Sequence, residues 1–129
     1  MFLSTLNQKQ KETFICLAHN VVVSDGDLST GEQVMMLDMY SEMRLDPAFE
    51  PRYINLQGID VIFDTHKSRV IALMALVQLG YADGAFEIEE QCFLSDLADA
   101  FKISAAEMLR IENWVRRLLA LQQEALDLI

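Results

Sequence analysis

Apolar residues recur along this chain with helical spacing. Phe14, Leu17, Ala18, Val21 and Val22 fall on one face at a 3.6-residue period, and Met35, Met36, Met39 and Met43 do so after a short gap. No stretch alternates apolar and polar residues long enough to read as a strand. The pattern predicts an all-α fold with helices near 8–23, 29–44, 56–66, 68–82, 87–101 and 105–127. Helix starts are marked by capping signatures: Asn7 with Gln10, Ser29 with Glu32, and Ser104 with Glu107. Asn55 is the expected cap of the third helix. The clearest break is the segment Asp46-Pro47-Ala48-Phe49-Glu50-Pro51, which holds both prolines.

Two helices stand out. The segment from Val70 to Leu79 is apolar nearly all round, which places it at the centre of the body. The last helix carries Ile111, Trp114, Val115, Leu118, Leu121 and Ala125 on one stripe. It then adds Leu126, Leu128 and Ile129, more apolar surface than one stripe needs. That end either docks on its own body or forms a homodimer seam. For the four methionines, a core role and an adaptable partner groove are the two readings. Core is favoured, because the matching positions of the repeat described next are Phe93, Leu94, Leu97 and Phe101.

The Asp25-Gly26 and Asp83-Gly84 pairs stand 58 positions apart, and the residues after them correspond. Leu28 meets Phe86, Glu32 meets Glu90, Gln33 meets Gln91, and the apolar positions up to Met43 and Phe101 match in type. Chemical type thus repeats over about 30 residues, within segments of about 8–44 and 68–101. Each unit reads as helix, Asp-Gly turn, helix. Such a hairpin cannot bury its apolar face alone, so the two units should pack on each other in a single domain.

Composition narrows the function classes. The 129 residues fit one domain. Lys and Arg number 10 against 20 Asp and Glu, a net charge of −10. This disfavours nucleic acid and anionic membrane surfaces as partners and favours cations. The longest apolar run, Val70 to Val77, is far short of a membrane span. Met1-Phe2-Leu3 lacks a basic leader, so a cytoplasmic location is expected. Cys16 and Cys92 form no CxxC pair and read as buried thiols. Neither a local nucleophile signature nor a Gly-rich phosphate loop is present, so neither enzyme activity nor an organic cofactor is expected. His19 reads as a partly exposed histidine, and His66 as the end of a helix, where a cation suits the dipole.

The repeated turn motif, Asp-Gly-x-(Leu/Phe)-x-x-x-Glu, has the spacing of the second half of a calcium-binding EF-hand loop. The first half is absent, because Val21 and Val23, or Leu79 and Tyr81, occupy the first ligand positions. Two readings remain. In one, the glycines end helices and the acids serve turns and caps. In the other, Asp25, Glu32, Asp83 and Glu90 share a space and hold a divalent cation. Carboxylates about 4 Å apart repel by roughly 4 kcal/mol at an effective dielectric of 20, and oxygen-only ligands suit Ca²⁺, Mg²⁺ or Mn²⁺.

The segments Val23-Ser24-Asp25-Gly26-Asp27-Leu28-Ser29-x-x-Glu32 and Tyr81-Ala82-Asp83-Gly84-Ala85-Phe86-x-x-x-Glu90 resemble the TerB-like family, named for tellurite-resistance proteins. The opening Leu6-Asn7-x-x-x-Lys11-x-x-Phe14 does so as well, and the likeness extends over residues 5 to 105. The resemblance implies an all-helical cytoplasmic domain of stress-response type with an internal repeat. It also implies that Asp25, Glu32, Asp83 and Glu90 are metal ligands. The alternative function is a metal-free helical interaction module whose partner is a protein or a second copy.

Overall fold

A computed structural model describes residues 1–24, 29–82 and 86–129. Among them are a 3-10 turn at Leu3–Thr5 and six α-helices, with no strand. The helices are α1 (Gln8–Val23), α2 (Thr30–Met43), α3 (Ile59–Ile62), α4 (His66–Gly80), α5 (Ile88–Ala100) and α6 (Ala105–Leu128). None is long and apolar enough to cross a membrane.

The apolar helix takes the central place that its pattern predicts. Ile71, Ala72, Leu73, Ala75, Leu76, Val77 and Leu79 of α4 are all buried, and α4 packs against α1, α2, α5 and α6. Phe14, Leu17, Ala18 and Val21 of α1 complete the middle of the core. Met39 and Met43 are buried and Met35 and Met36 are packed against the core, in agreement with the core reading of the methionines.

Local chemistry fixes where the helices begin and end. At α1 the Asn7 side chain accepts from the Gln10 amide at 2.8 Å, while Gln10 Oε1 accepts from the Asn7 amide at 3.0 Å. Ser29 and Glu32 close the same reciprocal box at α2, at 3.1 and 3.0 Å. Both α2 and α5 end in a left-handed residue that is not glycine, Arg44 (φ 54°) and Lys102 (φ 60°). In each case the next amide returns five residues back, Leu45 N–H to the Tyr40 carbonyl at 3.0 Å and Ile103 N–H to the Ala98 carbonyl at 2.9 Å. The buried Leu45 and Ile103 seal these turns, as the Schellman arrangement requires.

Several expectations need correction. The third helix is four residues long, not eleven. Gly58 adopts a left-handed φ of 76° immediately before it, so a helix cannot run through from Leu56. Asn55 instead accepts from the Gln57 amide at 3.0 Å and makes a local turn. His66 opens α4 rather than closing the preceding helix, so the dipole argument made for it has the wrong sign. Thr65 is the true cap there, with Ser68 as its reciprocal partner. Glu107 does not complete a box with Ser104; its carboxylate pairs with His66 across the α4–α6 contact. Cys92 is exposed, and only Cys16 is buried.

Candidate functional site

The four acids proposed as ligands divide into two described and two not. Asp25 and Asp83 lie outside the described residues, together with Gly26 and Gly84. Glu32 and Glu90 sit in the first turns of α2 and α5. Both are buried, to 2% and 1% exposure respectively. Each carboxylate has one oxygen committed to the backbone: Glu32 Oε1 accepts from Ser29 N at 3.0 Å, and Glu90 Oε1 from Glu87 N at 3.1 Å. The capping role is therefore real for both. Among the described residues, no group of three or more His, Cys, Asp or Glu side chains stands close enough together to hold a metal ion.

Capping alone does not account for that burial. Glu107 occupies the corresponding position at the start of α6, and its side chain is 30% exposed. A carboxylate removed from water costs several kcal/mol unless positive charge or donors offset the loss. The last turn of α4 is also packed closely on Phe86. A Cβ on Gly80 would fall 2.8 Å from Phe86 Cε1, and the Phe86 ring lies 4.9 Å from that of Tyr81. Glycine at position 80 lets Phe86 seat against the end of α4.

A concave feature lies between α4 and α6. His66, Val70 and Met74 of α4 face Arg110, Ile111, Trp114 and Arg117 of α6 across an open groove of about 800 Å³. Its lining combines these apolar side chains with three arginines, beside the His66–Glu107 pair, in a chain of net charge −10. Arg116 donates to the Tyr81 hydroxyl at 3.1 Å, which raises the guanidinium further above its usual value. A smaller cavity of about 410 Å³ lies between α1 and the 49–62 segment. Near it Tyr40, whose hydroxyl donates to the Phe49 carbonyl at 2.8 Å, is raised above its ordinary pKa by burial first and then by its electrostatic interaction with Cys16.

Three structurally important polar residues escape a pattern-based reading. Asn20 is buried and mimics a strand partner: its amide donates to the Ile54 carbonyl at 2.7 Å and accepts from the Ile54 amide at 3.1 Å. Gln10 reaches beyond its capping box to the Ile62 carbonyl at 3.1 Å. Arg69 binds three backbone carbonyls at once, those of Asp60, Phe63 and Phe101. Their polarity inside an otherwise apolar helix face was the only available signal, since the partners are 6 to 52 residues away in the chain.

No family model, curated protein or solved structure matches this chain.

Proposed function

We propose that the chain is a TerB-like helical domain of the stress or tellurite-resistance type that holds a divalent cation at two turns related by internal duplication. Asp25, Glu32, Asp83 and Glu90 are its ligands, with Ca²⁺, Mg²⁺ or Mn²⁺ as the ion. The observation that carries this reading is the matched burial of Glu32 and Glu90 at positions 58 residues apart.

The same offset relates many other features, which supports duplication. Asn7 and Thr65 are both caps, Gln10 and Ser68 both buried reciprocal partners, and Arg44 and Lys102 both left-handed terminators. The packing is consistent with two-fold pairing: α2 and α5 each contact both α1 and α4. In such an arrangement each turn contributes one aspartate and one buried glutamate. Carboxylate oxygens of this kind suit a hard divalent cation.

Replacing Glu by Gln separates ligand from cap. Glutamine keeps a carbonyl oxygen for the Ser29 or Glu87 amide but loses the charge a hard cation needs. Titration calorimetry with Ca²⁺, Mg²⁺ and Mn²⁺ should give heat with the native protein at sub-millimolar concentrations. Added ion should also raise its melting temperature. Both responses should vanish in Glu90→Gln, whose metal-free stability stays within about 1 kcal/mol of native. Absence of heat with all three ions defeats the reading. It would leave the alternative, a metal-free interaction module, which the arginine-lined α4–α6 groove favours.

A further inference from the structure

The α6 helix outruns the body that supports it. His66 pairs with Glu107 at one end of the α4–α6 contact, and Tyr81 with Arg116 at the other, so the two helices run in the same sense. Helix α4 has 15 residues and α6 has 24. At 1.5 Å per residue they span about 22 and 36 Å. The excess lies at the far end of α6, where every residue from 120 to 129 is exposed. Of the two readings of this end, docking on its own body is thus overturned.

The overhang is not a polar helix. Leu121 is 62% and Leu128 86% exposed, and Leu126 joins them. The stripe Trp114, Leu118, Leu121, Ala125, Leu128 continues past the body without a break, at alternating steps of four and three residues. This is the spacing of a helix-on-helix seam. The charge distribution is equally one-sided. Residues 118–129 contain Glu124 and Asp127 and no Lys or Arg, whereas the groove beside residues 110–117 presents Arg110 and Arg117. Neither arginine forms an ion pair with another described residue.

We infer that the overhanging end of α6 is a dimerisation arm, which lies antiparallel in the α4–α6 groove of a second copy of this chain. The surface is self-complementary, as an isologous two-fold contact demands. When two α6 helices pair antiparallel about Leu118 and Leu119, Arg110 comes level with the partner's Asp127. Asn113 is then level with the partner's Glu124, with Arg110 and Arg117 about one helical turn to either side. The arm's leucines cover Ile111, Trp114, Val70 and Met74. Two-fold symmetry creates this seat twice, which a stable interface of roughly 1,600 Å² needs, since one ten-residue arm is too small alone. The inference is independent of the cation reading, because it uses none of Asp25, Glu32, Asp83 and Glu90.

Sedimentation of the full chain tests it. The native protein should have twice the 14.7 kDa chain mass. Arg110→Glu/Arg117→Glu should sediment at 14.7 kDa, and so should Glu124→Lys/Asp127→Lys. All four side chains are exposed, so both variants should keep the native helical circular dichroism. Mixing the two variants in equal amounts should restore the doubled mass, because each groove then meets an arm of opposite charge. The emission of Trp114, the sole tryptophan, should shift to the blue as the dimer forms. A native mass of 14.7 kDa at the highest concentration reached overturns the inference, and so does a mixture that stays monomeric.

Discussion

Arg69→Met should be among the most damaging single changes to the metal-free fold, although arginine is a residue usually assigned to the surface. Its guanidinium donates to the Phe63 carbonyl at 2.6 Å, to Asp60 at 2.8 Å and to Phe101 at 3.1 Å. Those carbonyls belong to the end of α3 and the end of α5, where no intrahelical donors remain. One planar cation thereby ties the α3 corner and the α5 terminus to α4. The side chains of Phe63 and Phe101, two of the residues whose carbonyls it binds, meet edge to face with ring centroids 5.3 Å apart. Methionine keeps the apolar stem and removes every donor. Hydrogen bonds from a charged donor contribute about 1.5–3 kcal/mol each, and an orphaned buried carbonyl costs about 1–3 kcal/mol. Arg69 is half-buried, so water reaches part of the site and the low end applies. Three orphaned carbonyls at about 1 kcal/mol each give a loss of about 3 kcal/mol, a large share of the 5–15 kcal/mol that holds a typical domain together. Urea denaturation followed by circular dichroism measures it directly. The midpoint should fall without a change in slope. Arg69→Lys should recover only part of the loss, because an ammonium cannot point at three carbonyls in the plane of a guanidinium. A methionine variant within 0.5 kcal/mol of native, or a lysine variant equal to arginine, would show that these contacts are ornamental and that core packing alone fixes the corner.

Other expectations rest on equally specific contacts. Asn20→Ala should cost about 2 kcal/mol in the same urea assay, because it strands both the amide and the carbonyl of Ile54. A loss below 0.5 kcal/mol would mean the 46–58 segment does not depend on that anchor. Gly80→Ala opposes two effects: a helix gains about 1 kcal/mol from alanine, but the new methyl meets the Phe86 ring at 2.8 Å. Overpacking costs about 1–3 kcal/mol, so the single variant should be destabilised while Gly80→Ala in a Phe86→Leu background should be stabilised relative to Phe86→Leu alone. Tyr40 is raised above its ordinary pKa, so the fold favours its neutral form. Its contribution is complete below the unfolded value of 10.0 and is lost as pH rises through the higher folded value. Absorbance titration of the native protein against Tyr40→Phe should reveal that late-ionising phenol, and an ordinary titration midpoint would contradict it.

What could be read from the residues alone follows the range of the interactions involved. The bounds of α1 were legible to the residue because Asn7 and Gln10 satisfy each other over three positions. The central place of α4 was legible because nothing but a surrounding core tolerates so uniform an apolar surface. The third helix failed because one backbone angle at Gly58 outweighs a favourable apolar pattern. Glu107 illustrates the remaining gap. Its spacing from Ser104 fits a capping box, yet a histidine 41 residues away takes the carboxylate. The acids Glu32 and Glu90 were identified from their spacing, but spacing did not predict that both would be dehydrated, which depends on what packs over them. The overhang of α6 was illegible for a similar reason. Its stripe is continuous in sequence, and only the shorter length of α4, set by the Tyr81 turn, determines where support ends. An apolar stripe thus specifies that a helix will be covered, whereas the length of its neighbours decides whether the cover comes from its own chain.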